Sequence, residues 1–216
     1  MSKFTLKRGH ILGLRTNAQN LRSHGGFQWP ESGKVNAPDW SPAAECGNGL
    51  HFLKWGDGDV NLLHSPYDQK TKWLVISTPE KGAVDLNGKS KCEECEVVYC
   101  GEKQGAIDLL VAHAPAGTKI AYSTATAGDE GTATAGDGGT ATAGDEGTAT
   151  AGTRGTATAG DGGTATAGDG GVITIAYYDN AKGKYRRLIG HVGDGGLKPN
   201  VAYRINDQCQ FEEVPV

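Results

Sequence analysis

From Ser123 to Gly170 the chain reads STATAGDE, GTATAGDG, GTATAGDE, GTATAGTR, GTATAGDG, GTATAGDG, six octads without a break. A period so short and regular constrains the fold more than any other feature, because each unit must satisfy itself against copies of itself. Within each octad Thr and Ala alternate strictly, which gives a strand one Thr face and one Ala face. Thr is β-branched and suits a pleated surface. The Gly-Asp-Gly-Gly punctuation tolerates positive φ and closes tight turns. Strand and turn at constant spacing predict a β-solenoid whose rungs stack at about 4.8 Å.

Size decides which face turns inward. Ala methyls allow two sheets to approach more closely than the roughly 10 Å of an ordinary sandwich. An unpaired Thr hydroxyl in so narrow a seam would cost about 1–3 kcal/mol. Ala125, Ala127, Ala133, Ala135 and their equivalents are therefore expected inside. Thr124, Thr126, Thr132, Thr134, Thr140, Thr142, Thr148, Thr150, Thr156, Thr158, Thr164 and Thr166 are expected outside, as ranks of hydroxyls and methyls. Two octads per coil, hence 16 residues and three coils, leave room for two strands and two turns. A seam of methyls alone is thin, so a cap or a second copy of the chain is expected against it, and a homodimer through the repeats follows.

The sequence supplies a cap. Gly171-Val-Ile-Thr-Ile-Ala-Tyr-Tyr178 keeps the octad register but puts Ile173 and Ile175 at the inward positions. It leads through a turn at 179–184 into Tyr185–Val192, a hairpin that also blunts an open sheet edge. Val201–Ile205 and the region of Phe211 complete a small β-cap.

The first 114 residues differ in kind. They hold all four Trp and three of the four Phe, and their 13 basic and 13 acidic side chains balance. Residues 115–170 carry two basic against seven acidic groups, and from 123 to 170 nothing larger than Ala among the aliphatics. Strands are expected at 10–14, 50–55, 72–77 and 97–99, and one helix at 103–113, limited by Pro115. The expected fold is mainly β: a β-rich (α+β) N-terminal domain over 1–114, an octad solenoid over 115–170, and a cap over 171–216. The net charge of −4 argues against a nucleic-acid binder that works by general basicity. No run of 18 apolar residues occurs, so no membrane partner is expected. Five unevenly spread cysteines, and a start without a secretory apolar stretch, point to a cytoplasmic setting.

Chemistry-bearing patterns are few. Cys92-Glu-Glu-Cys95 with Cys100 has the gap of a zinc knuckle, but no second pair at matching distance. The three read as exposed loop thiols beside a strand, with a metal or redox pair as alternatives. Cys46-Gly-Asn-Gly-Leu-His51 reads as a turn entering a strand. Its alternative is a thiol and imidazole set for nucleophilic catalysis. Trp55-Gly-Asp-Gly-Asp59 lacks the remaining ligands of a calcium loop and reads as a surface turn. The octad Asp residues read as turn formers rather than calcium ligands. No cofactor and no metal are expected, and an enzyme is the less favoured reading.

The front run GGFQWPESGKVNAPDWSPAAECGNGLHFLKWGDGD, the octads and the ending VITIAYYDNAKGKYRRLIGHVGDGGLKPNVAYRI together resemble a group of bacterial and phage proteins that join a GLH-containing β-rich domain to GTATAGDG octads. That resemblance carries no activity with it. The octads are also similar to the repeats of bacterial ice-nucleation proteins, and the Thr-x-Thr ranks to ice-binding β-solenoids. In those families paired Thr ranks face ice, and nucleation depends on long arrays. The first functional expectation is a non-enzymatic structural or interaction protein, with the solenoid as spacer or self-assembly element. The second, implied by the resemblance, is an ice or ordered-water surface on the Thr ranks. The third is an enzyme of the front domain built on Cys46 and His51.

Overall fold

The computed structural model describes residues 4–23 and 26–215, and the chain forms two compact units, Met1–Ala116 and Gly117–Val216. Among the described residues no helix is long and apolar enough to cross a membrane.

The first unit is a seven-stranded antiparallel sheet. Its strands are β1 (His10–Asn17), β2 (Gly33–Asn36), β3 (Leu50–Lys54), β4 (Lys72–Pro79), β5 (Val84–Asp85), β6 (Ser90–Cys92) and β7 (Glu94–Gly101). They lie in the order β2-β7-β4-β1-β3-β6-β5. β1 and β4 pair over their whole length, from His10 opposite Pro79 to Asn17 opposite Lys72, and both are apolar on both faces, as central strands must be. Gly13 sits where a Cβ would lie 2.7 Å from Phe52 Cγ, so the Phe52 ring packs directly on the β1 backbone. One face buries Ile11, Trp29, Val35, Phe52, Ile76 and Val97 in a single cluster. A helix, α1 (Lys103–Val111), packs on β4, β7 and β1 through Ala106, Ile107 and Leu110. It stops two residues short of the expected end, because the amide of His113 bonds to the Leu110 carbonyl and the His113 ring nitrogen takes up that of Leu109.

The second unit is a β-solenoid with three coils of 16 residues. Strands β8 (Thr124–Thr126), β10 (Thr140–Thr142) and β12 (Thr156–Ala159) stack in parallel as one sheet, and β9 (Thr132–Thr134), β11 (Thr148–Thr150) and β13 (Thr164–Thr166) as the other. Register is strict: Thr124 pairs with Thr140 and Thr140 with Thr156, without a bulge. Ala133, Ala141, Ala149, Ala157, Ala165 and their octad partners are buried in one seam. The strand β14 (Val172–Asp179) continues the first sheet, with Ile173 beside Ala157 and Ile175 beside Ala159, both essentially inaccessible. It turns back as β15 (Lys184–His191). The second sheet is closed differently, by the antiparallel pair β16 (Ala202–Ile205) and β17 (Phe211–Glu213), which sets Tyr203 opposite Ala165. Gly190 makes room for this closure, since a Cβ there would meet the Phe211 ring at 2.7 Å. At the opposite end Ile120 and Ala121 are buried where the backbone of 120–123 bonds to Gly136, Asp137 and Thr140, while Ala125 and Ala127 of the first coil stay only half-buried.

Candidate functional site

Alternation and register together produce two Thr surfaces. On the first sheet, Thr124, Thr140 and Thr156 form one column and Thr126, Thr142, Thr158 and Thr174 the next. On the second, Thr132, Thr148 and Thr164 stand beside Thr134, Thr150 and Thr166. Neighbours in a column are about 4.8 Å apart, and columns on one strand about 6.6–6.8 Å apart. Thr124, Thr126, Thr132 and Thr140, nearest the first coil, are exposed, and the other octad-rank Thr side chains are half-covered. Among the described residues, no protein group hydrogen-bonds to any of the twelve octad-rank hydroxyls, and none is sealed from solvent. They are left to water.

The two surfaces end differently. Beyond Thr174 the first sheet continues into Ile189, paired with Thr174, and the exposed pair Tyr178 and Tyr185, whose rings meet edge to face at 5.1 Å. The second sheet ends in an ion pair, with Arg204 Nε donating to Glu212 at 2.9 Å.

The turns hold a feature that the octad reading missed. Three of the octad Asp residues do more than shape their own turns: Asp129 Oδ1 accepts from the Asp145 amide at 3.1 Å, and Asp145 Oδ1 from that of Asp161 at 2.9 Å. In the other turn column Asp137 Oδ1 accepts from the Thr153 amide at 2.8 Å. The signal was present as recurrence of Asp at 129, 145 and 161, and only the coil length turns it into a ladder. Glycine roles also differ from expectation. Positive φ occurs at the last octad position alone, where Tyr122, Glu130, Glu146 and Arg154 adopt it as well as Gly138, Gly162 and Gly170. Residues there reach over the following coil: the Tyr122 ring covers Gly138, the Glu146 stem Gly162 and the Arg154 stem Gly170. Apart from Gly128 in the first octad, where a Cβ would meet nothing, the other two octad glycines are required by space. A Cβ on Gly152 would lie 2.6 Å from the Asp137 amide nitrogen, and one on Gly155 would lie 2.8 Å from the Ala151 methyl.

In the first unit, the expectation of exposed loop thiols fails for two of three cysteines. Cys92 ends β6 and Cys95 is the second residue of β7, at 1% and 6% exposure, because the link between the strands is the single residue Glu93 and both thiols turn into the core. Cys100 on β7 is half-buried. Cys92 and Cys95 interact through their thiols, which with burial pushes Cys95 far up. Among the described residues no three His, Cys, Asp or Glu side chains converge as a metal-ligand set.

Cys46 and His51 line one cleft without a hydrogen bond between them. Cys46 is exposed, and its thiol accepts from Lys89 Nζ at 3.0 Å, which lowers its pKa. His51 on β3 is held down to about 4, first by burial and then by the charges of Lys89, Arg15 and Lys91. An imidazole so reluctant to take a proton is a poor base for a neighbouring thiol.

Comparison with known proteins separates the two halves. Residues 11–109 match a family model described as a domain of unknown function (DUF7666). The chain is 34% identical over 110 residues to the ice nucleation protein InaU of Pantoea ananas, covering 50% of this chain and 10% of that protein. It is 34% identical over 110 residues to an ice nucleation protein of Enterobacter agglomerans, covering 50% and 9%. To one of Xanthomonas campestris pv. translucens it is 33% identical over 107 residues, covering 49% and 7%. The chain thus spans about a tenth of the length of the curated relatives it matches. No solved structure matches it. The repeats are similar to those of ice nucleation proteins, and a β-solenoid with this repeat fits a structural repeat protein.

Proposed function

We propose that the solenoid is a rigid surface that binds ordered water and ice through its Thr ranks. The observation that carries this reading is the pair of Thr arrays, in strict register, whose hydroxyls no protein group uses among the described residues. A hydroxyl beside a methyl on a repeating grid offers water both a hydrogen-bond partner and an apolar step. The Ala seam and the Asp ladder hold that grid still, so little ordering remains to be done on binding. The names of the similar proteins favour the same reading.

The test replaces Thr142 and Thr158, adjacent in one column, by Tyr in the full chain. Crystal habit and freezing hysteresis are measured, with far-ultraviolet dichroism to show that the solenoid persists. Loss of ice shaping in a folded variant is expected. Unchanged habit and hysteresis would remove the proposal.

A second reading, self-association as a homodimer or spacer, is favoured by the open end. β8 and β9 terminate their sheets, and Ala125 and Ala127 are only half-buried where later seam alanines are sealed. A second copy against that end would cover them. Sedimentation over a range of concentrations tests it: a mass that rises with concentration and falls in Ala125→Lys supports the reading, and a constant monomer mass rejects it.

A further inference from the structure

The first unit contains a cleft of about 500 Å3, within the roughly 300–1,000 Å3 of ordinary small-molecule sites. Its lining includes the apolar side chains of Phe27, Trp29, Pro38 and Leu62. It also includes polar and cationic groups. The Arg15 guanidinium lies on the Trp29 ring at 4.1 Å, donates from Nη1 to the His51 carbonyl at 2.9 Å and from Nε to Asn17 Oδ1 at 3.1 Å. Among the described residues no carboxylate pairs with it. Burial lowers its pKa to about 10. Lys89 stands at the rim, and Lys91, 1% exposed, is held behind it by the carbonyls of Glu45 and Gly47. Asp39 is the sole acid of the lining, and it already accepts from the Gly49 amide at 3.1 Å. His51 is depressed by all three of these cations, which places it within their common field.

The same lining contains polar atoms that the fold leaves unused. Trp29 Nε1, His51 Nε2 and Thr16 Oγ1 are buried without a hydrogen-bond partner, and all three residues border the cleft. A buried polar group left unpaired costs about 1–3 kcal/mol. These atoms are themselves inaccessible, so the groups that a molecule in the cleft meets are the Arg15 guanidinium, which only neutral groups accept from, and the Lys89 ammonium. A cation would be repelled by these two charges, and an apolar molecule would leave them without a counter-charge.

We propose that this cleft binds a small molecule carrying an oxyanion, a carboxylate or a phosphate, on an apolar body. The oxyanion accepts from Arg15 and from Lys89 at the rim, and the Trp29 ring under the guanidinium senses its arrival. The body lies against Phe27 and Leu62. This site is independent of the Thr ranks and stands or falls apart from them.

The experiment follows the Trp29 indole N–H by heteronuclear NMR in the full chain during titration with benzoate, phenyl phosphate and benzylamine. A saturable shift of that signal with either oxyanion, and none with benzylamine, is expected, and the stronger of the two identifies the headgroup. Lys89→Ala should weaken binding roughly fivefold, the worth of one part-exposed charge contact. Arg15→Gln should abolish it, and Lys89→Ala keeps the test open should Arg15→Gln not fold. No saturable shift with either oxyanion at millimolar concentration, an equal response to benzylamine, or full affinity in folded Lys89→Ala would overturn the proposal.

Discussion

Gly152→Ala tests the claim that the first glycine of each turn is there for space and not for φ. Gly152 has an ordinary negative-φ backbone, yet a Cβ would lie 2.6 Å from the Asp137 nitrogen and 2.8 Å from the Gly136 carbonyl carbon. Those are backbone atoms of the preceding coil, so no side chain can rotate away. Ordinary carbon contact begins near 3.5 Å, so the coils must part by close to an ångström at that corner. Two bonds cross there: Gly152 N to the Gly136 carbonyl at 3.2 Å and Thr153 N to Asp137 Oδ1 at 2.8 Å. Both would stretch past useful length. At about 1 kcal/mol for each net hydrogen bond, with some strain added, the cost is about 2–3 kcal/mol. The matched control is Gly162→Glu, where φ is +69° but Glu146 and Glu130 already occupy the equivalent position. It should cost no more than about 1 kcal/mol. Urea unfolding followed by far-ultraviolet dichroism, with amide exchange at Thr153, measures both. If Gly152→Ala costs less than Gly162→Glu, the steric argument is wrong.

Two further outcomes are expected. Ile173→Ala should destabilise the second unit by about 2–5 kcal/mol, since it empties the end of the seam and returns it to bare methyls; the urea midpoint of that unit reports it. The His51 pKa falls from its ordinary 6.5 to about 4 on folding, so the unfolded chain binds the proton first. The stability this residue contributes is present in full above pH 6.5 and is lost progressively down to about pH 4. Urea midpoints of the parent should decline across that window more steeply than those of His51→Gln, and parallel slopes would contradict the assignment.

The solenoid was legible because its information is local and repeated. Alternation assigned Thr and Ala to opposite faces, and eight residues were too few for a coil of two strands and two turns. Ile173 and Ile175 then marked the end of the seam by size alone. The Asp ladder escaped because a turn-forming Asp and an Asp that accepts from the next coil are identical within one octad. In the first unit, strand positions at 10, 50 and 72 followed from apolar runs, whereas the short β2, β5 and β6 carry too few residues for a pattern. Sheet order there depends on pairings between distant segments. Arg15 lies just past the strand expected at 10–14, and nothing beside it in the sequence signals that Trp29 lies beneath its guanidinium and the His51 carbonyl at its tip.

Because successive octads serve opposite sheets, the array has a parity. Removal or duplication of a single octad would deliver Ile173 and Ile175 to the column of Ala165 and Ala167, where the closing strand is β16, and would leave the β14–β15 hairpin on the wrong side. Loss or gain of two octads restores every column. Genetic drift in the length of this tract should therefore move in even steps, and odd-numbered variants should be recovered only as misassembled chains.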